Sequence, residues 1–308
     1  MLKLYSYSLP VKGFPRREGL ILELTTEDGR TSFGEVAPLP GWSLETLEEA
    51  HAQLINLSAK TPLLPSVAFG IESTKLPSPS LPLKFPISSL LVGSFRQIMN
   101  KAERCAREGV TSVKLKLSTL SEEEASSLIR TLKNTFSLRI DLNRAWSLDK
   151  SLKFFSEFSP EDFDYIEEPC SRIEDLFHFP LPLAVDESLR EAPLEYLLKI
   201  PQLKALIFKP TLQGGFKMGK LLAEAAKRHN LDLIFSSSFE SGVGISQIAL
   251  LAHALDLPIK PLGLDTYSFL EEDILVAPLG ISSGILTLNQ PPTLNKERLH
   301  VLSDLICC

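Results

Sequence analysis

The chain has 308 residues, of which 44% are hydrophobic and 23% charged, with a formal net charge of −6. That is the composition of a folded globular protein with room for one large domain and a small one. With its negative balance and no basic run longer than a pair such as Arg16–Arg17, the chain has no general attraction to nucleic acid or to an anionic membrane.

The opening segment MLKLYSYSLP alternates apolar and polar residues and lacks the apolar core of a signal peptide. No stretch reaches the roughly 18 uninterrupted apolar residues of a membrane-spanning helix. A cytoplasmic protein is the expectation. The cysteines, Cys105, Cys170, Cys307 and Cys308, form no C-x-x-C pair, so neither a zinc site nor structural disulfides are expected. The adjacent Cys307 and Cys308 read as an exposed chain end rather than a redox or metal-binding tail.

The first part reads as α+β. Residues 2–9 and 20–25 alternate as strands, with Thr26–Gly29 as a turn after them. Ser43 is placed to cap a helix in which Leu44, Leu47, Leu54 and Ile55 recur at helical spacing. Residues 61–86 carry Pro62, Pro65, Pro77, Pro79, Pro82 and Pro86. Such density blocks long helices and central strands, so this stretch reads as a connection holding one short helix. The expected division is a capping domain over 1–85, a catalytic domain over 86–290, and a C-terminal segment, 291–308, packing back on the cap.

From residue 86 short apolar strands alternate with helices. The strands fall at 87–92, 111–117, 137–142, 163–168, 182–187, 204–209, 231–236 and 260–265. The helices fall at 94–108, 121–134, 147–158, 172–178, 193–199, 215–229 and 241–256, the second opened by a Ser121/Glu124 capping box. This alternation predicts βαβ units, and eight strands in so short a length suit a closed α/β barrel better than the alternative, an open doubly wound sheet.

Strands of a parallel barrel are buried on both faces and should be apolar. Several of these end in charge instead. Lys114 and Lys116 share one strand face, as do Arg139, Asp141 and Asn143. Glu167-Glu168, Asp186 and Lys209 close the next three strands. The C-terminal ends of barrel strands meet at one mouth, where active sites form. The sequence therefore gathers Lys114, Lys116 and Lys209 with Asp141, Asp186 and the Glu167-Glu168 pair, of which alternation turns one inward. Buried carboxylates that close together repel one another, and a hard cation resolves the repulsion. Oxygen donors suit Mg²⁺, with Mn²⁺ as a substitute, and the lack of His or Cys at these positions argues against zinc. A partly desolvated lysine beside a cation has a lowered pKa and serves as a base, the equipment for removing a proton next to a carboxylate.

The segments Val113–Lys116, Arg139–Asn143, Ile166–Pro169, Ala184–Ser188 and Phe208–Pro210 resemble the muconate-lactonising branch of the enolase superfamily. Phe33–Gly41, Asn143–Trp146, Asp186–Glu191, Lys209–Leu212, Ser236–Ser241 and Gly263–Thr266 add a resemblance to its o-succinylbenzoate synthase family, over about residues 18 to 266. The resemblance implies a (β/α)7β barrel under an N-terminal α+β cap. It implies Asp141, Glu167 and Asp186 as ligands of Mg²⁺, choosing Glu167 over Glu168 as the first Glu of the E-E-P motif. It makes Lys116 the base, Lys209 the cation across the ring and Lys114 a supporting residue. Ser236, Ser237 and Ser238 fall where the family binds the succinyl part, their backbone N–H groups being the expected donors, with Arg139 and Asn143 as further substrate contacts. The implied partner is a small-molecule carboxylate, and the implied reaction is a syn dehydration in menaquinone biosynthesis.

Two rivals remain. A dipeptide epimerase or N-acylamino-acid racemase uses opposed lysines on the same scaffold, but such epimerases carry Asp-x-Asp at the last strand, where this chain has Leu264-Asp265-Thr266-Tyr267. A catalytically inactive barrel serving as a binding protein would have lost a ligand or a base, and all are present here. The loop over residues 10–19, with Arg16 and Arg17, is where relatives of different specificity differ.

Overall fold

The computed structural model describes residues 1–58, 60–77 and 80–305, so Cys307 and Cys308 lie outside the described residues. The cap is a four-stranded antiparallel sheet: β1 (Leu2–Val11), β2 (Phe14–Thr25), β3 (Thr31–Val36) and, from the far end of the chain, β14 (His300–Leu305) beside β1. The expected strand at 20–25 is the second half of β2. β3 was not anticipated as a strand, because Gly34 and Glu35 break the alternation. Gly34 is required there: a Cβ would stand 2.0 Å from the Gly70 carbonyl oxygen, so only glycine lets β3 lie against the helix Pro65–Ser73.

The cap's first helix, Leu47–Ile55, starts later than Ser43 predicts. Its cap is Thr46, which forms a capping box with Glu49. The Ser43 hydroxyl instead accepts from the Leu39 N–H at 2.8 Å and shapes the preceding turn. The proline-rich connection holds the Pro65–Ser73 helix, with Pro65 at its first turn, where a missing N–H costs nothing. It ends in β4 (Leu83–Pro86), which pairs with β13 (Ile285–Leu288), itself paired with β12 (Gly280–Ser282).

The barrel follows the alternation in the sequence. β5 (Ser89–Leu91), β6 (Ser112–Lys116), β7 (Ser137–Asp141), β8 (Tyr165–Glu167), β9 (Leu183–Val185), β10 (Leu203–Phe208) and β11 (Asp232–Phe235) form one parallel sheet in chain order. The expected strand at 260–265 is reduced to two parallel bridges, Ser236 to Gly263 and Ile87 to Leu262. That is enough to close the barrel, since Leu262 N–H donates to Pro86 O at 2.8 Å and Gly263 N–H to Phe235 O at 2.8 Å. Helices Phe95–Arg107, Glu122–Leu132, Leu148–Phe155, Phe216–His229 and Gly242–Ala254 lie where periodicity placed them. Residues 173–178 are 3₁₀, and 188–197 hold two four-residue helices. One continuous apolar core runs between barrel and helices, and a separate one lies under the cap sheet. Cys105 and Cys170 are buried free thiols. No helix among the described residues is long and apolar enough to cross a membrane.

Candidate active site

Parallel registry sets the site. Lys116 pairs with Asp141 across β6 and β7, and Asp141 with Glu167 across β7 and β8. Inward side chains at equal height therefore meet at the barrel mouth. Lys114 Nζ lies 2.9 Å from Asp141 Oδ2 and 2.7 Å from both Glu167 oxygens. Lys116 Nζ lies 3.3 Å from Asp141 Oδ2 and donates to Asn143 Oδ1 at 2.9 Å. Lys209, directly after β10, donates to Asp186 Oδ2. Asp141, Glu167 and Asp186 are at most 1% exposed.

Burial would raise Asp141, but Lys114 and Lys116 outweigh it and hold the carboxyl far below the usual carboxylate range. Glu167 goes the other way: burial pushes it up, and the neighbouring Asp141 and Asp186 offset what Lys114 takes back. Burial lowers Lys114 and Lys209, but the carboxylates beside them win, and both are raised. The lowered lysine pKa expected from the sequence requires that a cation take up the charge of those carboxylates.

The donor set fits such a cation. Its members are hard carboxylate oxygens, and Asp186 Oδ1 is buried without a hydrogen-bond partner. Among the described residues the carboxylates do not form a closed coordination group; the ammonium groups of Lys114 and Lys209 lie against them and supply the compensating charge.

Lys114, Lys116, Asp141, Asn143 and Lys209 line a cavity of about 210 Å³ that also takes in Ser236–Ser238. Its roof comes from the cap. Trp42 places its ring 5.9 Å from Lys209 Nζ, and Phe14 packs on Phe239 at 4.9 Å between centroids.

Two expected contacts are corrected. Arg139 does not reach the cavity. It points inward, but two residues below Asp141 on the strand, hence about 7 Å deeper. There it is 1% exposed, bonded to Asp164 Oδ2 at 2.8 Å and Pro261 O at 2.6 Å, and stacked over Tyr165. The backbone N–H groups of the three serines are also committed: Ser236 to Phe208 O, Ser237 to Gly263 O and Ser238 to Glu240 Oε2. The donor left over is the buried Ser238 hydroxyl, which has no partner.

Sequence reasoning missed the fastening between cap and barrel. Glu35 reaches from β3 to the start of the Gly242–Ala254 helix. It accepts from Ser241 N–H at 2.9 Å, Gly244 N–H at 2.7 Å and the Tyr7 hydroxyl at 2.5 Å. Gly244 permits this, since a Cβ would stand 2.8 Å from Glu35 Oε2. Arg17, 3% exposed, donates to Phe239 O, Ala37 O and Pro38 O and ties the cap loop to the loop beside the serines. The signal for Glu35 was present, a carboxylate inside an otherwise apolar strand end, Phe33–Val36, but its partner is more than 200 residues away. Arg16, beside Arg17 on β2, only braces Ser8; the loop expected over residues 10–19 is mostly strand, the end of β1 and the start of β2.

Residues 97–294 match the enolase C-terminal domain-like family and residues 1–77 match the MenC N-terminal domain. The o-succinylbenzoate synthase of Vibrio cholerae is 35% identical over 297 residues, covering 85% of this chain and 88% of that protein. The o-succinylbenzoate synthase of Thermosynechococcus elongatus, solved with magnesium in its active site, superposes with a TM-score of 0.73 at 25% identity, over 89% of this chain and 94% of that one. The L-Ala-D/L-Glu epimerase of Bacillus subtilis gives a TM-score of 0.78 at 14% identity, over 98% of each chain. The fold is thus shared with enzymes of different chemistry, and sequence decides. The chain belongs to the o-succinylbenzoate synthase family of the enolase superfamily.

Proposed function

We propose that this chain dehydrates 2-succinyl-6-hydroxy-2,4-cyclohexadiene-1-carboxylate to o-succinylbenzoate, in the cytoplasm, as a step of menaquinone biosynthesis. The observation that carries dehydration over epimerisation is the likeness to o-succinylbenzoate synthases, 35% identity over 85% of this chain for that of Vibrio cholerae; the geometry supplies the means, with Lys116 and Lys209 lining one cavity and held by Asp141 and Asp186. Asp141, Glu167 and Asp186 are the ligands for Mg²⁺, which when bound supplies positive charge to a carboxylate taking on enediolate character. Neutral Lys116 removes the proton next to the substrate carboxylate and becomes an ammonium. The same ammonium returns that proton to the departing hydroxyl, so water leaves and the ring becomes aromatic. Syn geometry follows from one residue performing both transfers. Lys209 stays protonated and faces the developing charge from the other side. Lys114 balances the charge of Asp141 and Glu167, and Asn143 orients Lys116 through the 2.9 Å hydrogen bond. The Ser238 hydroxyl is a donor for the succinyl carboxylate. The buried free thiols, Cys105 and Cys170, support a reducing compartment.

The test is substrate preference together with Lys209→Arg. Wild type should convert the cyclohexadiene far faster than it epimerises L-Ala-L-Glu. Lys209→Arg should keep part of the dehydration, because arginine retains the charge that this role needs but cannot act as a base. Faster epimerisation of the dipeptide by wild type, lost entirely in Lys209→Arg, would move the chain to the racemase reading.

A further inference from the structure

The cavity contains a carboxylate that the reaction does not use. Among its described lining residues the acids are Asp141, already paired with Lys114 and Lys116, and Asp265. Asp265 follows the segment that closes the barrel. Its Oδ2 accepts from the Leu90 N–H of β5 at 2.7 Å and from Lys101 Nζ at 2.8 Å. Lys101 belongs to the first barrel helix, Phe95–Arg107, and reaches across the closing seam from outside the cavity. The pair is largely withdrawn from water, the two side chains being 23% and 12% exposed. Next to Asp265, Thr266 Oγ1 lies 2.6 Å from Ser237 Oγ, which places this carboxylate beside the serine segment.

A negative charge in that position matters for an anionic ligand. The substrate assigned above has a ring carboxylate and a succinyl carboxylate, and the second is the one directed to the serines. An uncompensated Asp265 would repel it and would attract an ammonium group instead. We propose that Lys101 is a specificity-determining residue: it cancels the charge of Asp265, so that the cavity accepts a dicarboxylate and offers no counter-charge to an amine. The inference rests on the dehydration reading for the identity of the dicarboxylate. Lys101 touches neither the metal ligands nor the reacting atoms, so it acts on binding and not on the proton transfers. One uncompensated charge near a bound carboxylate, in the intermediate dielectric of a half-open cavity, costs about tenfold in affinity.

The experiment compares the full-length wild type with Lys101→Met, Asp265→Asn and the double variant, all in Mg²⁺. The readouts are calorimetric affinity for o-succinylbenzoate, KM and kcat for the cyclohexadiene, and inhibition by L-Ala-L-Glu. Lys101→Met should weaken o-succinylbenzoate and raise KM about 10-fold with kcat within about 2-fold, the pattern of lost uniform binding. It should also bind the ammonium-bearing dipeptide more tightly. Asp265→Asn, which keeps an oxygen for the Leu90 N–H, should bind o-succinylbenzoate at least as well as wild type, and the double variant should recover from the Lys101→Met defect. If Lys101→Met does not fold, Asp265→Asn decides alone: a 10-fold loss there would mean that the pair serves to pack the seam, and the proposal fails. Unchanged affinity in a folded Lys101→Met also overturns it. A wild type that binds o-succinylbenzoate but does not turn over the cyclohexadiene would sink the dehydration reading, while the affinity ratios still judge Lys101.

Discussion

Glu167 and Glu168 are adjacent in the chain and both wholly buried, yet they belong to different regions of the barrel rim. Glu167 faces the mouth, and both its oxygens accept from the Lys114 ammonium. Glu168 faces outward, toward the helices. It accepts from Asp186 N–H at 2.9 Å, Ser188 N–H at 2.8 Å, the Ser188 hydroxyl at 2.9 Å and Arg144 Nε at 3.1 Å. Burial raises both carboxyls, but the compensation differs in kind. An ammonium on a flexible four-carbon stem can move aside for a cation or a substrate. Backbone amides and a guanidinium, itself tied to Ser188 at 2.8 Å and Glu191 at 2.6 Å, cannot. The inner ring of carboxylates is available for chemistry, and the outer ring fixes the chain that carries it. Asn143, Arg144 and Glu168 adopt left-handed backbone with φ of 43°, 59° and 43°; the Asn143 N–H donates to Asp141 Oδ1 at 3.0 Å and the Arg144 N–H to Glu168 O at 3.2 Å. Each such residue costs on the order of 1–3 kcal/mol.

Breaking the inner ring at its base should have the largest effect. Lys116→Ala should cut turnover by at least about 10²–10⁴-fold, the range for loss of a general base, while the protein still binds o-succinylbenzoate. Turnover and product affinity measured on the same preparation check this, and near-normal turnover would mean that another residue takes the proton. Breaking the outer ring should have a smaller and different effect. Glu168→Gln leaves one charge-assisted bond from Arg144 and two backbone donors poorly matched. It should destabilise the fold by about 1.5–3 kcal/mol, read from denaturant unfolding, with a modest loss of turnover per folded molecule. A Glu168→Gln protein as stable as wild type but inactive would place Glu168 with the inner ring and dissolve the comparison.

The barrel and its inner ring were legible in the sequence because both rest on local rules. A buried parallel strand that ends in charge stands out against an apolar background, and alternation by two puts each charge on a definite face. What alternation does not give is depth. Arg139 has the same parity as Asp141, yet it lies one layer lower, where it braces Asp164 and Tyr165. Nor does it give partners. The Ser236 and Ser237 N–H groups looked free because the segments that occupy them, at Phe208 and Gly263, are distant in sequence, and the Ser238 N–H because the side chain of Glu240, two residues on, turns back to accept it. Nor does it give the charge balance: Lys114 and Lys209 are raised by the carboxylates beside them, and a cation that takes up that charge reverses the direction. The eighth strand, expected at 260–265 from the alternation, amounts to two bridges, and Pro261 removes a backbone donor from the segment. Glu35 and Lys101 escaped notice because each acts across more than 150 residues of chain.

The central claim, that the carboxylates facing the mouth hold a catalytic cation while those behind them do not, is tested most directly by titrating Mg²⁺ into metal-stripped wild type, Asp186→Asn and Glu168→Gln and following both heat and conversion of the cyclohexadiene. Wild type should bind Mg²⁺ and recover its activity with the same midpoint, Asp186→Asn should lose at least about 10-fold in both, and folded Glu168→Gln should stay close to wild type. Full conversion by the stripped, chelated wild type, or a Glu168→Gln protein that loses Mg²⁺ as severely as Asp186→Asn, would contradict it.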